Sequence, residues 1–287
     1  MLRVAQQLPS SVGSCEVGAP KVPTKKETAE ERARRCWIQA DAVCFDIDST
    51  VCRDEAIDEL AAFLGVGEAV AECTSKAMGG GVRFRDALRM RLDIMRPSRA
   101  AVDEYSARNP PKLTPGIQKL VRTLHQRGTA VYLVSGGFRC LIRPVADLLD
   151  IDHKNIYANE LIWDKRTGQY LTFDHDELTS DSGSKDVGKP GVLGLLKKRH
   201  GYQTVVMIGD GATDMEARPP ADAFIGFGGN AIREAVRAGA DWYVLSFDEL
   251  IAPLLDGAAT PADSSPASSS SAEEDAIDTG AKSNNSI

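Results

Sequence analysis

Five short apolar runs constrain this chain more than any other feature. They cover residues 42–45, 130–134, 204–208, 223–227 and 242–245. Each is too short for a core helix and too continuously apolar for a strand with one wet face. Such runs suit strands buried on both faces of a parallel sheet. Segments with helical period lie between them. Ile117, Leu120, Val121 and Leu124 form one stripe. Thr114 opens that helix as N-cap, Pro115 takes the first helical position, and Gly128 ends it. Strands alternating with helices predict an α/β fold, a parallel sheet with helices on both faces.

One connection is too long for a simple crossover. About 80 residues separate the first two strands, where a strand–helix–strand unit needs only about 30 in all. Ile57, Leu60, Ala61 and Leu64 share one helical face inside it, so residues 53–111 read as a helical domain inserted into a core of residues 36–52 and 112–256. Two runs flanking Arg166-Thr167, within 156–173, read as a hairpin.

The ends of the chain differ from its middle. Residues 257–287 are rich in Ser, Ala, Asp and Pro and nearly free of large apolar side chains, so they read as a disordered acidic tail. Residues 1–35 read as a loosely structured extension or a transit segment, because they lack the apolar core of a secretory signal. The expected location is cytoplasmic, with a plastid or other organelle as the alternative if that extension is an address. Net charge is −7, with no basic stripe for nucleic acid. No run reaches the roughly 18 apolar residues of a membrane span. The six cysteines include no C-x-x-C pair and read as small buried side chains. The expected partner is a small-molecule substrate, and a homodimer is left open.

In an open parallel sheet, ligands bind beyond the carboxyl ends of the strands. The first strand is followed by Asp46-Ile47-Asp48-Ser49-Thr50 and the second by Ser135-Gly136-Gly137. The third leads into Gly209-Asp210-Gly211-Ala212-Thr213-Asp214 and the fourth into Gly228-Gly229-Asn230. Carboxylates, hydroxyls and glycines thus converge on one edge. Asp46 and Asp48, two apart on an extended chain, would point the same way and repel. With Asp210 they supply hard oxygens for Mg²⁺. Ser135 and the backbone around Gly136 and Gly137 can cradle phosphate oxygens. Phosphoryl transfer needs this combination. Asp46 is the candidate nucleophile and Asp48 the general acid/base. A cation is still needed, and SGSKDVGKPG offers Lys185 and Lys189. Lys189 is favoured because it directly precedes a helical run. In FRDALRMRLDIM, Arg91 falls within the apolar stripe of Phe84, Leu88, Leu92 and Met95, whereas Arg83, Arg85 and Arg89 do not. A buried-face arginine wants an anion such as a substrate carboxylate, a nearby acid, or a path to water.

These motifs resemble the haloacid dehalogenase superfamily of Mg²⁺-dependent phosphotransferases. ADAVCFDIDSTV, DEAIDELA, KAMGG, LTPGI, VSGGF, MIGDGATDMEA and PPADAFIGFGGN are similar to its eukaryotic phosphoserine phosphatase branch over roughly residues 40–250. The resemblance implies a Rossmann-like core with an inserted helical cap. It implies hydrolysis of O-phospho-L-serine through an aspartyl phosphate, the last step of phosphorylated serine biosynthesis. It places Mg²⁺ on Asp46, Asp210 and Asp48, the last through its backbone carbonyl. Ser135, Gly136 and the lysine would hold phosphate. Glu55 would meet the substrate amine and Arg91 its carboxylate, with Met78, Gly79, Thr213 and Arg233 completing the site. The family's compact SGGK stands here as SGSKDVGK, which leaves both lysines in play. Two rivals remain: an enzyme for another small phosphomonoester, and a receiver-type signalling module phosphorylated on aspartate. The long insertion and the D-x-D-x-T spacing speak against the second.

Overall fold

The computed structural model describes residues 26–78 and 82–256, with the backbone alone for residues 77 and 78. The expected acidic tail and the first 25 residues lie outside the described residues. Six parallel strands form the central sheet in the order β3-β2-β1-β6-β7-β8. They are β1 (Ala42–Phe45), β2 (Ala130–Phe138), β3 (Ile156–Asn159), β6 (Val205–Gly209), β7 (Ala223–Phe227) and β8 (Trp242–Val244). The α/β expectation holds. All five apolar runs are strands, and β1 and β7 match theirs residue for residue.

Strand alternation fills both faces of the sheet. Val43, Phe45, Val131, Leu133, Val206, Ile208 and Ile225 point to one side. There they meet α1 (Ala29–Ile38), α6 (Ile117–Gln126), α7 (Arg139–Leu148) and α11 (Asp248–Asp256). Ala42, Cys44, Tyr132, Val134, Val205, Met207 and Phe224 point to the other, against α8 (Gly188–His200). Helix α6 buries Ile117, Leu120, Val121 and Leu124, each worth about 1.5–3 kcal/mol of burial.

Four helices lie between β1 and β2: α2 (Ala56–Phe63), α3 (Gly67–Met78), α4 (Phe84–Met95) and α5 (Arg99–Arg108). They share a separate cluster built on Ile57, Leu60, Val70, Leu88, Leu92 and Val102, to which Phe138 and Leu141 also belong. A two-stranded antiparallel sheet, β4 (Leu161–Trp163) with β5 (Tyr170–Phe173), packs on the same cluster.

Two expectations need correction and one gains a strand. Residues 29–35 are not loose. They belong to α1, which Thr28 and Glu31 cap reciprocally and which buries Ala33 and Trp37. The hairpin holds, since β4 and β5 pair in antiparallel fashion across Arg166-Thr167, and the residues just before it, β3, add a sixth strand in parallel with β2. Thr114 does not cap α6. Gly116 does, at φ +87°, and the Thr114 hydroxyl donates instead to the Thr50 carbonyl at 2.7 Å. The five described cysteines are all free thiols.

Candidate active site

The chain leaves β1 and turns at once. Asp48 has φ −64° and ψ 134°, and Ser49 has φ +55°. The backbone is not extended there, and the two aspartates take different partners. Asp46 Oδ1 lies 2.7 Å from Lys189 Nζ. Asp48 Oδ1 accepts the Ala56 N–H at 2.8 Å, at the start of α2. Burial pushes the Asp48 carboxyl up to about 7, helped by the negative charges of Glu55 and Asp46.

The carboxylates that do gather are Asp46, Asp210 and Asp214, with one oxygen from each within 4.8 Å of the others. All three are buried. Asp210 directly follows β6, and its Oδ1 accepts the Thr50 hydroxyl at 3.1 Å. Asp214 sits on the short helix α9 (Ala212–Met215), and its Oδ2 accepts the Gly211 N–H at 2.9 Å. Lys189 bridges Asp46 and Asp214, and the two carboxylates hold its ammonium charged against the cost of burial. Burial and the Asp46 charge raise both Asp210 and Asp214. Acids crowded this way in a dry site bind cations or hold protons. Three hard oxygens fit a divalent ion such as Mg²⁺. Asp214 was missing from the set read in the sequence, and the Asp48 carboxylate does not join the cluster.

Ser135 is fully buried on β2, and its Oγ accepts the Gly137 N–H at 2.9 Å. The hydroxyl hydrogen is left to donate into the cleft. Gly136 is needed because a Cβ there would lie 2.5 Å from Phe84 Cζ of α4. Asn159, unforeseen in the sequence, secures this loop by donating to the Gly136 carbonyl at 2.8 Å.

A cleft of about 500 Å³ joins these groups to the helical insertion. Asp46, Asp48, Glu55, Arg91, Ser135, Gly136, Gly137, Lys189, Asp210, Thr213 and Arg233 all line it. Lys189 is buried at the start of α8, whereas Lys185 is exposed. Glu55 Oε1 accepts the Ser49 hydroxyl at 2.8 Å. Arg233 donates to Asp210 at 2.8 Å and reaches Glu55 at 3.5 Å. Arg91 donates to the Ala87 carbonyl at 3.3 Å. No carboxylate of the described residues pairs with it, and burial lowers its pKa. The Met78 side chain and Gly79 lie outside the described residues.

Comparisons with known proteins give the family of the chain. The family model described as haloacid dehalogenase-like hydrolase matches residues 43–217. The chain is 51% identical over 221 residues to a rat protein, Phosphoserine phosphatase, covering 77% of this chain and 96% of that one. It is 51% identical over 217 residues to a chloroplastic Phosphoserine phosphatase of Arabidopsis thaliana, covering 75% and 72%. A solved structure of a phospho-aspartyl intermediate analogue of phosphoserine phosphatase superposes with TM-score 0.60 at 27% identity. The match covers 74% of this chain and 98% of that one.

Proposed function

The chain belongs to the haloacid dehalogenase-like hydrolases, and from that premise we propose that it hydrolyses O-phospho-L-serine to serine and phosphate through an aspartyl phosphate. The observation that carries the substrate is Arg91: a half-buried guanidinium without a carboxylate partner among the described residues, in one cleft with Glu55 and the Asp46–Lys189 pair. A zwitterionic amino-acid head offers the anion that Arg91 lacks and an ammonium that can join Arg233 at Glu55. Its carboxylate goes to Arg91 and its ammonium to Glu55.

The chemistry follows from the placement of Asp46 and Asp48. Asp46 attacks phosphorus while the ester P–O bond breaks, and Asp48 gives its proton to the departing serine oxygen. Asp48 then takes a proton from water, the water oxygen attacks the phosphorus on Asp46, and free phosphate leaves. A carboxyl held near 7 can serve in both directions at neutral pH. The Ser135 hydroxyl, the Gly136 and Gly137 backbone and Lys189 hold the phosphoryl oxygens. Asp46, Asp210 and Asp214, with the backbone carbonyl of Asp48, would hold Mg²⁺. That ion supplies charge neutralisation at the transferring group. Met78, Gly79, Thr213 and Arg233 complete the substrate wall. The helical insertion, 53–111, serves as a cap over a core of residues 36–52 and 112–256.

No helix among the described residues is long and apolar enough to cross a membrane. We place the enzyme in the cytoplasm. A fluorescent fusion of the full chain that collects in plastids would move it there and make the first residues a transit segment, as the chloroplastic name of the Arabidopsis relative allows.

The direct test is phosphate release from O-phospho-L-serine with Mg²⁺, with EDTA, and with Asp46→Asn. Release should need the metal and vanish in the variant. Arg91→Ala should lose activity on phosphoserine and keep it on p-nitrophenyl phosphate, which has no head group. Equal loss on both would remove Arg91 from substrate recognition.

A further inference from the structure

Asn230 closes the Gly228-Gly229-Asn230 turn after β7, and the proposed chemistry gives it no task. Its amide nitrogen has four oxygen atoms within 3.4 Å. Nδ2 lies 2.7 Å from Thr114 Oγ1, 3.1 Å from the Ser49 carbonyl, and 3.4 Å from the carbonyls of Thr50 and Cys52. Carbonyl oxygens only accept, so this nest of acceptors calls for the two N–H donors of an amide. Thr114 extends the chain of contacts. Its hydroxyl accepts from Asn230 and donates to the Thr50 carbonyl at 2.7 Å. The Thr50 hydroxyl in turn donates to Asp210 Oδ1 at 3.1 Å.

The amide grips a strained turn. Ser49 has φ +55°, where a side chain crowds its own backbone, and such a conformation persists only when its surroundings fix it. The same turn delivers Asp48 to the Ala56 N–H and the Ser49 hydroxyl to Glu55. It also adjoins both connections of the helical insertion, since Cys52 bridges Leu113 in antiparallel fashion. One amide therefore touches the turn after Asp46 and both hinge strands.

We propose that Asn230 is a positioning residue for phosphoryl transfer. Its side-chain amide gives one N–H to Thr114 Oγ1 and the other to the Ser49 carbonyl, with the carbonyls of residues 50 and 52 at looser reach, and so sets Asp48 and Asp210 about Asp46. The proposal rests on Asp46 as nucleophile and Asp48 as acid/base. Asn230 touches no reacting atom. Its removal acts on the chemical step for any phosphomonoester, because the turn serves the phosphorus and the leaving oxygen whatever else the substrate carries.

The test assays Asn230→Ala, Asn230→Asp, Thr114→Val and Thr114→Ser on O-phospho-L-serine and on p-nitrophenyl phosphate at saturating Mg²⁺, with thermal unfolding of each protein. Asn230→Ala should lower kcat about 10–100-fold on both substrates with KM nearly unchanged, the range usual for residues that orient active groups. Asn230→Asp keeps the shape and replaces both donors by an acceptor, so it should fall at least as far. Thr114→Val should also slow the enzyme, while Thr114→Ser keeps the hydroxyl and the rate. A mere packing role makes the opposite forecast, an active Asn230→Asp. That result overturns the proposal, as does a wild-type kcat for Asn230→Ala or a defect confined to the phosphoserine KM. Should both Asn230 variants unfold, equal kcat for the two Thr114 variants overturns it. If the wild-type enzyme cleaves p-nitrophenyl phosphate but not phosphoserine, the substrate assignment fails and Asn230 is still judged on p-nitrophenyl phosphate.

Discussion

Gly209 and Asp214 compete for one volume. A Cβ on Gly209 would collide with the Asp214 carboxyl group, which is fully buried. Gly209→Ala must therefore push that carboxylate out of the cluster. We expect a loss of Mg²⁺-dependent turnover of about 100-fold or more and a stability cost of about 1–3 kcal/mol, the usual cost of overpacking. Normal turnover with normal metal affinity would sink this account of Gly209. Asp48 carries a prediction about pH. Its carboxyl stands at about 7 against an ordinary 3.8; burial is the main cause, then Glu55 and Asp46, opposed by the Ala56 N–H and Lys189. Between those values the folded protein keeps a proton that the unfolded chain has released. Stability from this group is therefore present at low pH and is lost as pH rises through the window. In metal-free protein, the melting temperature of Asp48→Asn minus that of the wild type should grow from pH 4 to pH 7 and then level off. A constant difference would refute the shift. Asp46, Ser135 and Lys189 were legible in the sequence because each abuts a strand end or a helix start. Asp214 was not, since its meaning comes from a lysine 25 residues away, and sequence spacing does not reveal that contact. Glu55 and Arg233 had no pattern of their own, and only the family resemblance singled them out.

At the scale of elements, hydrogen bonds tie the helical insertion to the rest of the chain at several places, among them its two connections, the 97–99 segment and helix α4. Its two connections pair with each other: the Arg53 N–H donates to the Lys112 carbonyl at 3.0 Å, and the Thr114 N–H to the Val51 carbonyl at 2.9 Å. Farther out, Arg85 of α4 donates to the Ser180 hydroxyl at 2.8 Å and to the His175 carbonyl at 3.2 Å, on the segment between β5 and α8. That latch holds α4, and with it Phe84 and Arg91, over the phosphate loop. The guanidinium is partly exposed, so each bond is worth only about 1 kcal/mol. Arg85→Ala should raise the phosphoserine KM about 3–10-fold and speed hydrogen exchange along α4, with kcat nearly unchanged. Unaltered exchange in α4 would show that the latch does not hold the helix. The insertion itself was readable, because its helices carry a 3.6-residue apolar stripe. The sixth strand, β3, was not. Its four residues, Ile156-Tyr157-Ala158-Asn159, carry one large aliphatic side chain and run straight into the hairpin, so they make no apolar run of their own. The start of α6 was misplaced for another reason: Thr114-Pro115 has the local chemistry of a cap, but a distant carbonyl, that of Thr50, claims the hydroxyl.

For the molecule as a whole, the helix before the first strand is part of the core. Helix α1 lays Trp37 against the face of the sheet shared by β7, β8 and α11. The ring is almost wholly buried, and Nε1 donates to the Leu250 carbonyl at 2.9 Å. Arg34 stacks over Trp242 at 4.0 Å, and Arg32 reaches Asp241 at 3.2 Å. The sequence did carry the signal, a Thr28-x-x-Glu31 capping pair before an Ala33/Trp37 stripe. The surrounding lysines and arginines masked it by making residues 1–35 read as one polar extension. No residue of α1 lines the catalytic cleft, so stability and turnover should separate. Trp37→Ala removes a large buried ring and one hydrogen bond and should cost about 3–5 kcal/mol, a large share of the roughly 5–15 kcal/mol of a typical domain. Urea unfolding should show the midpoint falling with little change in slope. The protein still folded at low temperature should keep its wild-type kcat on phosphoserine. A Trp37→Ala enzyme of normal stability and reduced kcat would mean that α1 acts on the site, and the separation of anchor from active site would be wrong.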